Sequence, residues 1–224
     1  MAIQDGEKAI VEGFLEWCKS SGCSWHKNLN LEYVEGSGAG AKAAKDIAKG
    51  DVLLSVPTEL CICKEDASSS PTNAATTASK ENVSEQSSDE VEEEGVITHL
   101  ARQIETISDS KWKSYILQAQ QCGSEVGWQL PGPVLKEVSG SDWDLLMMAQ
   151  NLKCRPVPDG VSEKAYREAC KLYFSRAMTD PWRTKAMIPL ADMLNHNPNS
   201  PHTWCRTIST RKMLVLTAGQ DIKS

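Results

Sequence analysis

Apolar positions recur along this chain with two different periods. From residue 5 to residue 21, Ile10, Phe14, Trp17 and Cys18 share one face of a 3.6-residue repeat. Asp5 stands where an N-cap would and Gly22 where a stop would, so a helix is predicted over 5–22. "LNLEYVEGSGAG" alternates apolar and polar positions and then turns on glycines, as a strand and tight turn would. "DVLLSVP" reads as a strand ended by Pro57. The helical period returns at Val96, Leu100, Ile104 and Ile107. "SDSKWKSYILQAQ" predicts a further helix capped by Ser108 or Asp109. Residues 142–152 and 162–178 predict two more, the last with Tyr166, Cys170, Tyr173 and Ala177 along one face. Residues 203–217 return to strand character. Strands, helices and strands again make an α+β chain, with a helical block set into a β-rich body. One stretch is contested. "AGAKAAKDIAKG" is rich in helix formers, while the glycines before it and "GDVLL" after it favour a hairpin.

Composition alters this picture in one place. Residues 64–95 hold nine acids against two lysines, which puts −7 there and leaves +1 for the rest of a chain of net charge −6. The tract is Ser-, Thr- and Ala-rich with little to bury, so a disordered insertion is expected over 64–95. It is either a plain surface loop or a phosphorylated regulatory tract, since Ser87 and Ser88 precede Asp89 and Glu90. The near-neutral remainder shows no basic patch, so no nucleic-acid partner is expected. No apolar run reaches the ~18 residues of a membrane span, and no secretory signal opens the chain. An intracellular protein of cytoplasm or nucleus is expected, monomeric, with its eight cysteines reduced. No Cys-x-x-Cys pair exists, so no metal site is expected.

Two stretches carry candidate chemistry. "GSGAG" is neither a P-loop nor a dinucleotide fingerprint, and by itself it reads as a turn. "MIPLADMLNHNPNSPHTW" leads an apolar run through Asp192 to Asn195 and His196. That amide and imidazole could hold a ligand, or could be a helix cap and a satisfied core histidine.

Taken in order, the glycine loop, "DIAKGDVLLSVP", "FSRAM", "PLADMLNHNP" and "AGQDIKS" resemble a SET-domain protein methyltransferase. The similarity is to the branch containing the Rubisco large-subunit lysine methyltransferase and the actin-histidine methyltransferase. "PLADMLNH" is the most specific of these motifs. The resemblance implies a β-rich SET fold with an N-terminal helix over 5–22, SET segments at 24–63 and 181–224, and a helical insert over 96–180. It implies S-adenosylmethionine as cofactor, held at Gly38, Ala39 and Gly40, at Arg176, and at Asn195 and His196. It implies that Asp192, Met193 and Leu194 line the cofactor pocket and the target side chain. The expected partner is a non-histone protein offering a lysine, or a histidine, for methylation.

The chain also echoes itself. Asp46-Ile47 leads through a polar turn into a strand, whereas Asp221-Ile222 is followed only by Lys223 and Ser224. In the resembled family that second copy continues to a strand and a catalytic tyrosine. A C-terminally truncated member is therefore expected, with its catalytic tyrosine beyond Ser224. The alternative is a non-catalytic interaction module with an incomplete cofactor pocket.

Overall fold

The computed structural model describes residues 2–35, 38–63, 88–121, 155–179, 185–194, 202–207 and 212–224. Helix α1 (Ala2–Ser20) buries Val11, Phe14 and Cys18. Asp5 is not its cap but lies in its first turn, where a negative charge suits the helix dipole. The helix closes as expected at Gly22, whose φ of 90° only glycine adopts without strain. Gly22 N–H donates to the Lys19 carbonyl at 3.1 Å and Cys23 N–H to the Cys18 carbonyl at 2.9 Å, the paired bonds of a Schellman cap.

Strand β1 (Ser24–Trp25) joins a sheet whose order is β1-β4-β8-β7, built with β4 (Val52–Pro57), β7 (His202–Thr207) and β8 (Met213–Ala218). All its pairings are antiparallel. In β8, Leu214, Val215 and Leu216 are consecutive and all buried, as an interior strand requires. In β4 the register slips between Val52 and Leu54. The extra residue turns Leu53 and Leu54 both inward, which strict alternation would forbid.

The contested stretch forms strand: β3 (Gly38–Ala43) pairs antiparallel with β2 (Leu29–Val34) along its whole length. Helix propensity yields here because β2 offers a partner with Leu29 and Leu31 turned into the core.

The acidic tract needs a correction. Helix α2 (Ser88–Glu105) begins eight residues inside the stretch expected to be disordered to residue 95. Glu93 and Glu94 in it are partnered rather than merely solvated. Arg155 donates to Glu93 at 2.6 Å and to Glu94 at 3.2 Å. Lys185 reaches Glu93 at 3.2 Å, and the Tyr166 hydroxyl donates to Glu94 at 2.7 Å. These partners lie more than sixty residues downstream, so local composition could not announce them. Helix α3 (Lys113–Gln121) also starts later than expected. Neither Ser108 nor Asp109 stands at its start; ahead of it the Ser110 hydroxyl accepts from Trp112 N–H at 3.2 Å. Helix α4 (Glu163–Arg176) starts one residue after the expected 162, with Ser162 as its cap. It stops at Arg176 rather than 178, because Ala177 is extended and Met178 opens the short β5 (Met178–Thr179), which pairs with β6 (Lys185–Ala186). The helix expected at 142–152 lies outside the described residues.

The internal echo has a structural meaning. Ile47 and Ile222 pair in an antiparallel bridge, each N–H donating to the other's carbonyl at 2.9 Å. Around them the two Asp residues act reciprocally. Asp221 Oδ1 accepts from Lys49 N–H at 2.9 Å, and Asp46 Oδ1 accepts from Ser224 N–H at 3.1 Å. Each Asp thus binds the amide two residues beyond the opposite Ile, a local two-fold clasp. Lys223 adds a contact to Asp46 at 2.8 Å. These bonds to the ionised form hold the Asp46 carboxyl below its usual range, the Lys223 contact being the largest cause. A lowered folded value means the stabilisation is present above the ordinary carboxylate range and disappears as pH falls through the lowered one. Asp46→Ala should therefore lower the melting temperature at pH 7, and the gap to the parent should close on acidification below the ordinary carboxylate range. Thermal melts across that pH range check both parts.

Candidate functional site

The residues of "PLADML" are built into the core before they are available to anything else. Met187 and Ile62 form a bridge, each N–H donating to the other's carbonyl at 3.0 Å. Ala186, Met187, Ile188, Leu190 and Ala191 are all buried. Leu190, directly after Pro189, has φ 68° and ψ −36°, a left-handed conformation that side-chain-bearing residues rarely adopt. It turns the chain into a single 3-10 turn, Ala191–Met193, held by Met193 N–H to the Leu190 carbonyl at 3.1 Å. Such strain persists where surrounding packing over-determines it, and here both sides of the turn are buried.

That turn aims Asp192 inward. Arg176, in the last turn of α4, donates through Nη1 to Asp192 Oδ2 at 2.8 Å. The two side chains are only 9% and 3% exposed, so this is a buried ion pair rather than a surface one. The Tyr115 hydroxyl of α3, itself fully buried, lies beside the same carboxylate. Tyr115 Oη and Asp192 Oδ1 approach as hydrogen-bonding neighbours without reaching ideal bond geometry. Burial pushes the Asp192 carboxyl up, against the opposing pull of Arg176. Burial and the Asp192 charge push the Tyr115 hydroxyl well up, which keeps it protonated and a donor. Burial and its neighbour Cys23 push the Cys18 thiol far up, with Asp192 adding to the effect. The Asp192 charge thus reaches Arg176 of α4, Tyr115 of α3 and, more weakly, Cys18 of α1. Phe14 stacks on Tyr115 at 5.8 Å, which docks α1 on α3 at this point.

The glycine strand completes the arrangement, since β3 lies against the Ala191–Met193 turn. Gly38, with φ 76°, opens the strand, and Gly38, Ala39 and Gly40 are half-buried. A Cβ on Gly40 would meet Val34 Cγ2 at 3.0 Å, so a side chain there would require the exposed Val34 side chain to give way.

Of the residues singled out in the sequence, the structure thus brings Gly38, Ala39 and Gly40 to the turn that carries Asp192, Met193 and Leu194. Arg176 is bonded into the same turn. Asn195 and His196 follow Leu194 directly but lie outside the described residues. Asp192 is not simply a lining group, because its carboxylate is turned into the pair with Arg176. Met193 is buried and packs in the core, and Leu194 is half-buried. Tyr115 was not singled out. The available signal was a tyrosine on the buried face of a helix, whose hydroxyl must meet something polar. Among the described residues no group of three His, Cys, Asp or Glu side chains could hold a metal ion, and no helix is long and apolar enough to cross a membrane.

Removing one partner of a buried ion pair strands the other, so Arg176→Met should cost about 3–5 kcal/mol of unfolding free energy at neutral pH. A carboxyl whose folded value is raised is favoured below its ordinary range and becomes a liability as pH rises through the raised one. The loss in Arg176→Met should therefore grow with rising pH, and Arg176→Met with Asp192→Leu should recover most of it. Urea titrations of the parent, single and double variants check the size, the pH trend and the recovery.

Comparison with solved structures finds the same fold repeatedly. The SET domain of LSMT bound to lysine and AdoHcy superposes with a TM-score of 0.59 at 21% identity, over 96% of this chain and 52% of that one. The same domain bound to methyllysine and AdoHcy gives 0.63 at 23%, over 96% and 51%. Rubisco LSMT bound to AdoMet gives 0.58 at 23%, over 96% and 50%. The chain therefore spans about half the length of these solved chains. No curated protein matches it. The family model of the SET domain matches residues 38–224, which include the glycine strand, the Arg176–Asp192 pair and both copies of the echo. By that match, and with the α+β fold that carries it, the chain belongs to the SET-domain family.

Proposed function

We propose that this SET domain is that of an S-adenosylmethionine-dependent protein methyltransferase acting on a lysine, or a histidine, of a non-histone protein. The observation that carries the reading is the glycine strand lying against the turn into which Arg176 is bonded. The residues present fit the cofactor. Gly38 and Gly40 leave the backbone of β3 open to close approach, and a buried guanidinium stands at the adjoining turn. The neighbours named above are bound to AdoMet, or to AdoHcy with lysine or methyllysine, which supports the same assignment.

When bound, S-adenosylmethionine supplies an activated methyl group on a sulfonium. The chain's own part is positioning and exclusion of water. Arg176 would take the cofactor carboxylate in a charge-assisted hydrogen bond, oriented by Asp192. Gly38, Ala39 and Gly40 would hold the cofactor through backbone groups, with Asn195 and His196 as further cofactor-binding residues. Leu194, half-buried at the end of the turn, would contribute apolar lining near the target side chain. A target lysine has an ordinary pKa of about 10.4 and must lose a proton to react, and an apolar channel disfavours its charged form.

The 224-residue chain should bind S-adenosylhomocysteine in isothermal calorimetry. Arg176→Lys keeps the charge but not the planar fork, and should weaken that binding by about ten-fold. Absence of heat from the parent protein at millimolar ligand would contradict the assignment.

A further inference from the structure

We infer that Cys18 and Cys23 are a peroxide-sensitive dithiol, a modification site at which oxidation to a disulfide locks the end of α1 to the start of β1. The inference goes beyond the cofactor reading and does not depend on it.

The geometry comes from the helix stop. Cys23 N–H donates to the Cys18 carbonyl at 2.9 Å across the turn at Gly22. With standard bond lengths, that hydrogen bond keeps the two Cα atoms within about 7 Å, the limit beyond which two cysteines cannot be bridged. A Schellman cap commonly closes on an apolar contact between these two positions. Here both positions carry thiols. Cys18 is 0% and Cys23 7% exposed, both belong to the core, and neither is bridged. The side chains face each other closely enough for Cys23 to be a hydrogen-bonding neighbour of Cys18. The contact can therefore become a covalent bond with little movement of the backbone. Among the other described cysteines, Cys61 Sγ donates to the Pro57 carbonyl at 3.9 Å and Cys170 lies on α4.

The two sulfurs differ in access, and that orders the chemistry. Cys18 is fully enclosed, and burial together with Cys23 pushes its thiol far up, so it stays protonated. Cys23 stands at the rim, next to the exposed Ser24. It is the sulfur that meets oxidant first, and hydrogen peroxide is small enough to suit so confined a thiol. Cys23 Sγ, as the thiolate, attacks one peroxide oxygen and the O–O bond breaks. The departing hydroxide takes up the proton that Cys23 shed and leaves as water, with a sulfenic acid on Cys23. Cys18 Sγ then attacks the Cys23 sulfur and the S–O bond breaks. The Cys18 proton passes to the departing hydroxide, so a second water leaves as the S–S bond forms. Two thiols lose two electrons in all, and one peroxide gains them. A dithiol reductant reverses the change by exchange. The lock acts on the helix that carries Phe14, one turn before Cys18, whose ring stacks on Tyr115 beside Asp192. Oxidation thus fixes α1 where it packs against the candidate site.

The sequence makes the bond easy to read. Lys19 lies between the two cysteines, so trypsin places them in separate peptides, 9–19 and 20–27. The folded protein is treated with hydrogen peroxide, its remaining thiols are blocked, and the digest is analysed by mass spectrometry with and without dithiothreitol. Thermal melts are recorded on the same samples and on Cys23→Ala. Peptides 9–19 and 20–27 should appear joined, and should separate on reduction. The melting temperature of the oxidised parent should rise by about 4 °C, as for a short closed loop, and fall back with dithiothreitol. Methionine oxidation is not reversed by that reagent, and Cys23→Ala should show no rise. Joined peptides with a reversible rise support the inference. Absence of the joined pair, or Cys18 or Cys23 joined to any other cysteine, overturns it. So does a joined pair that leaves the melting temperature unchanged or lowers it, because the bond would then not lock the native helix end.

Discussion

A buried guanidinium–carboxylate pair organises this domain. Arg176 and Asp192 come from segments of opposite character, the end of a helix and a strained turn at the edge of the sheet region. Burying two charges is costly, and a hydrophobic pair of similar volume is often as stable. The pair makes physical sense if its charge is used. It holds a cation at a fixed place beside a strand without side chains at Gly38 and Gly40, in surroundings dry enough that a single hydrogen bond matters. The rest of the core serves this arrangement. The Ile62–Met187 bridge anchors the approach to the turn, Pro189 and Leu190 bend it, and Phe14 brings the N-terminal helix against Tyr115 beside the carboxylate.

The second organising feature is the clasp between the two Asp-Ile copies. It ties the chain after β3 to the chain after β8, and so fixes both ends of the segment between them. The glycine strand and the central strand of the main sheet therefore hold a constant relation, although they belong to different sheets. Reciprocal Asp-to-amide bonds suit such a junction. They satisfy backbone donors at a place where neither chain is in a regular ladder.

Much of this was legible in the sequence, where the signal was local. The helix stop at Gly22, the β4 strand and the order of strands and helices all follow from short-range chemistry. The SET motifs then located Arg176 and Asp192. What escaped was non-local. Nothing near Glu93 and Glu94 announces Arg155, Lys185 or Tyr166, so an acidic tract read as solvated continues as helix. Propensity favoured a helix at "AGAKAAK" until β2 supplied a ladder. The site carried the same blind spot. The motif placed Asp192 on a pocket wall, but the identity of its partner depended on where α4 ends, and Tyr115 looked like any core aromatic.

The central claim is that the ion pair presents Arg176 to a carboxylate-bearing cofactor lying along the glycine strand. A crystal structure of the chain with S-adenosylhomocysteine tests it most directly. The account predicts the ligand's carboxylate hydrogen-bonded to Arg176, its body against residues 38–40, and Asp192 still bonded to the guanidinium. A ligand seated away from β3, with Arg176 engaged by Asp192 and no ligand atom, would contradict it.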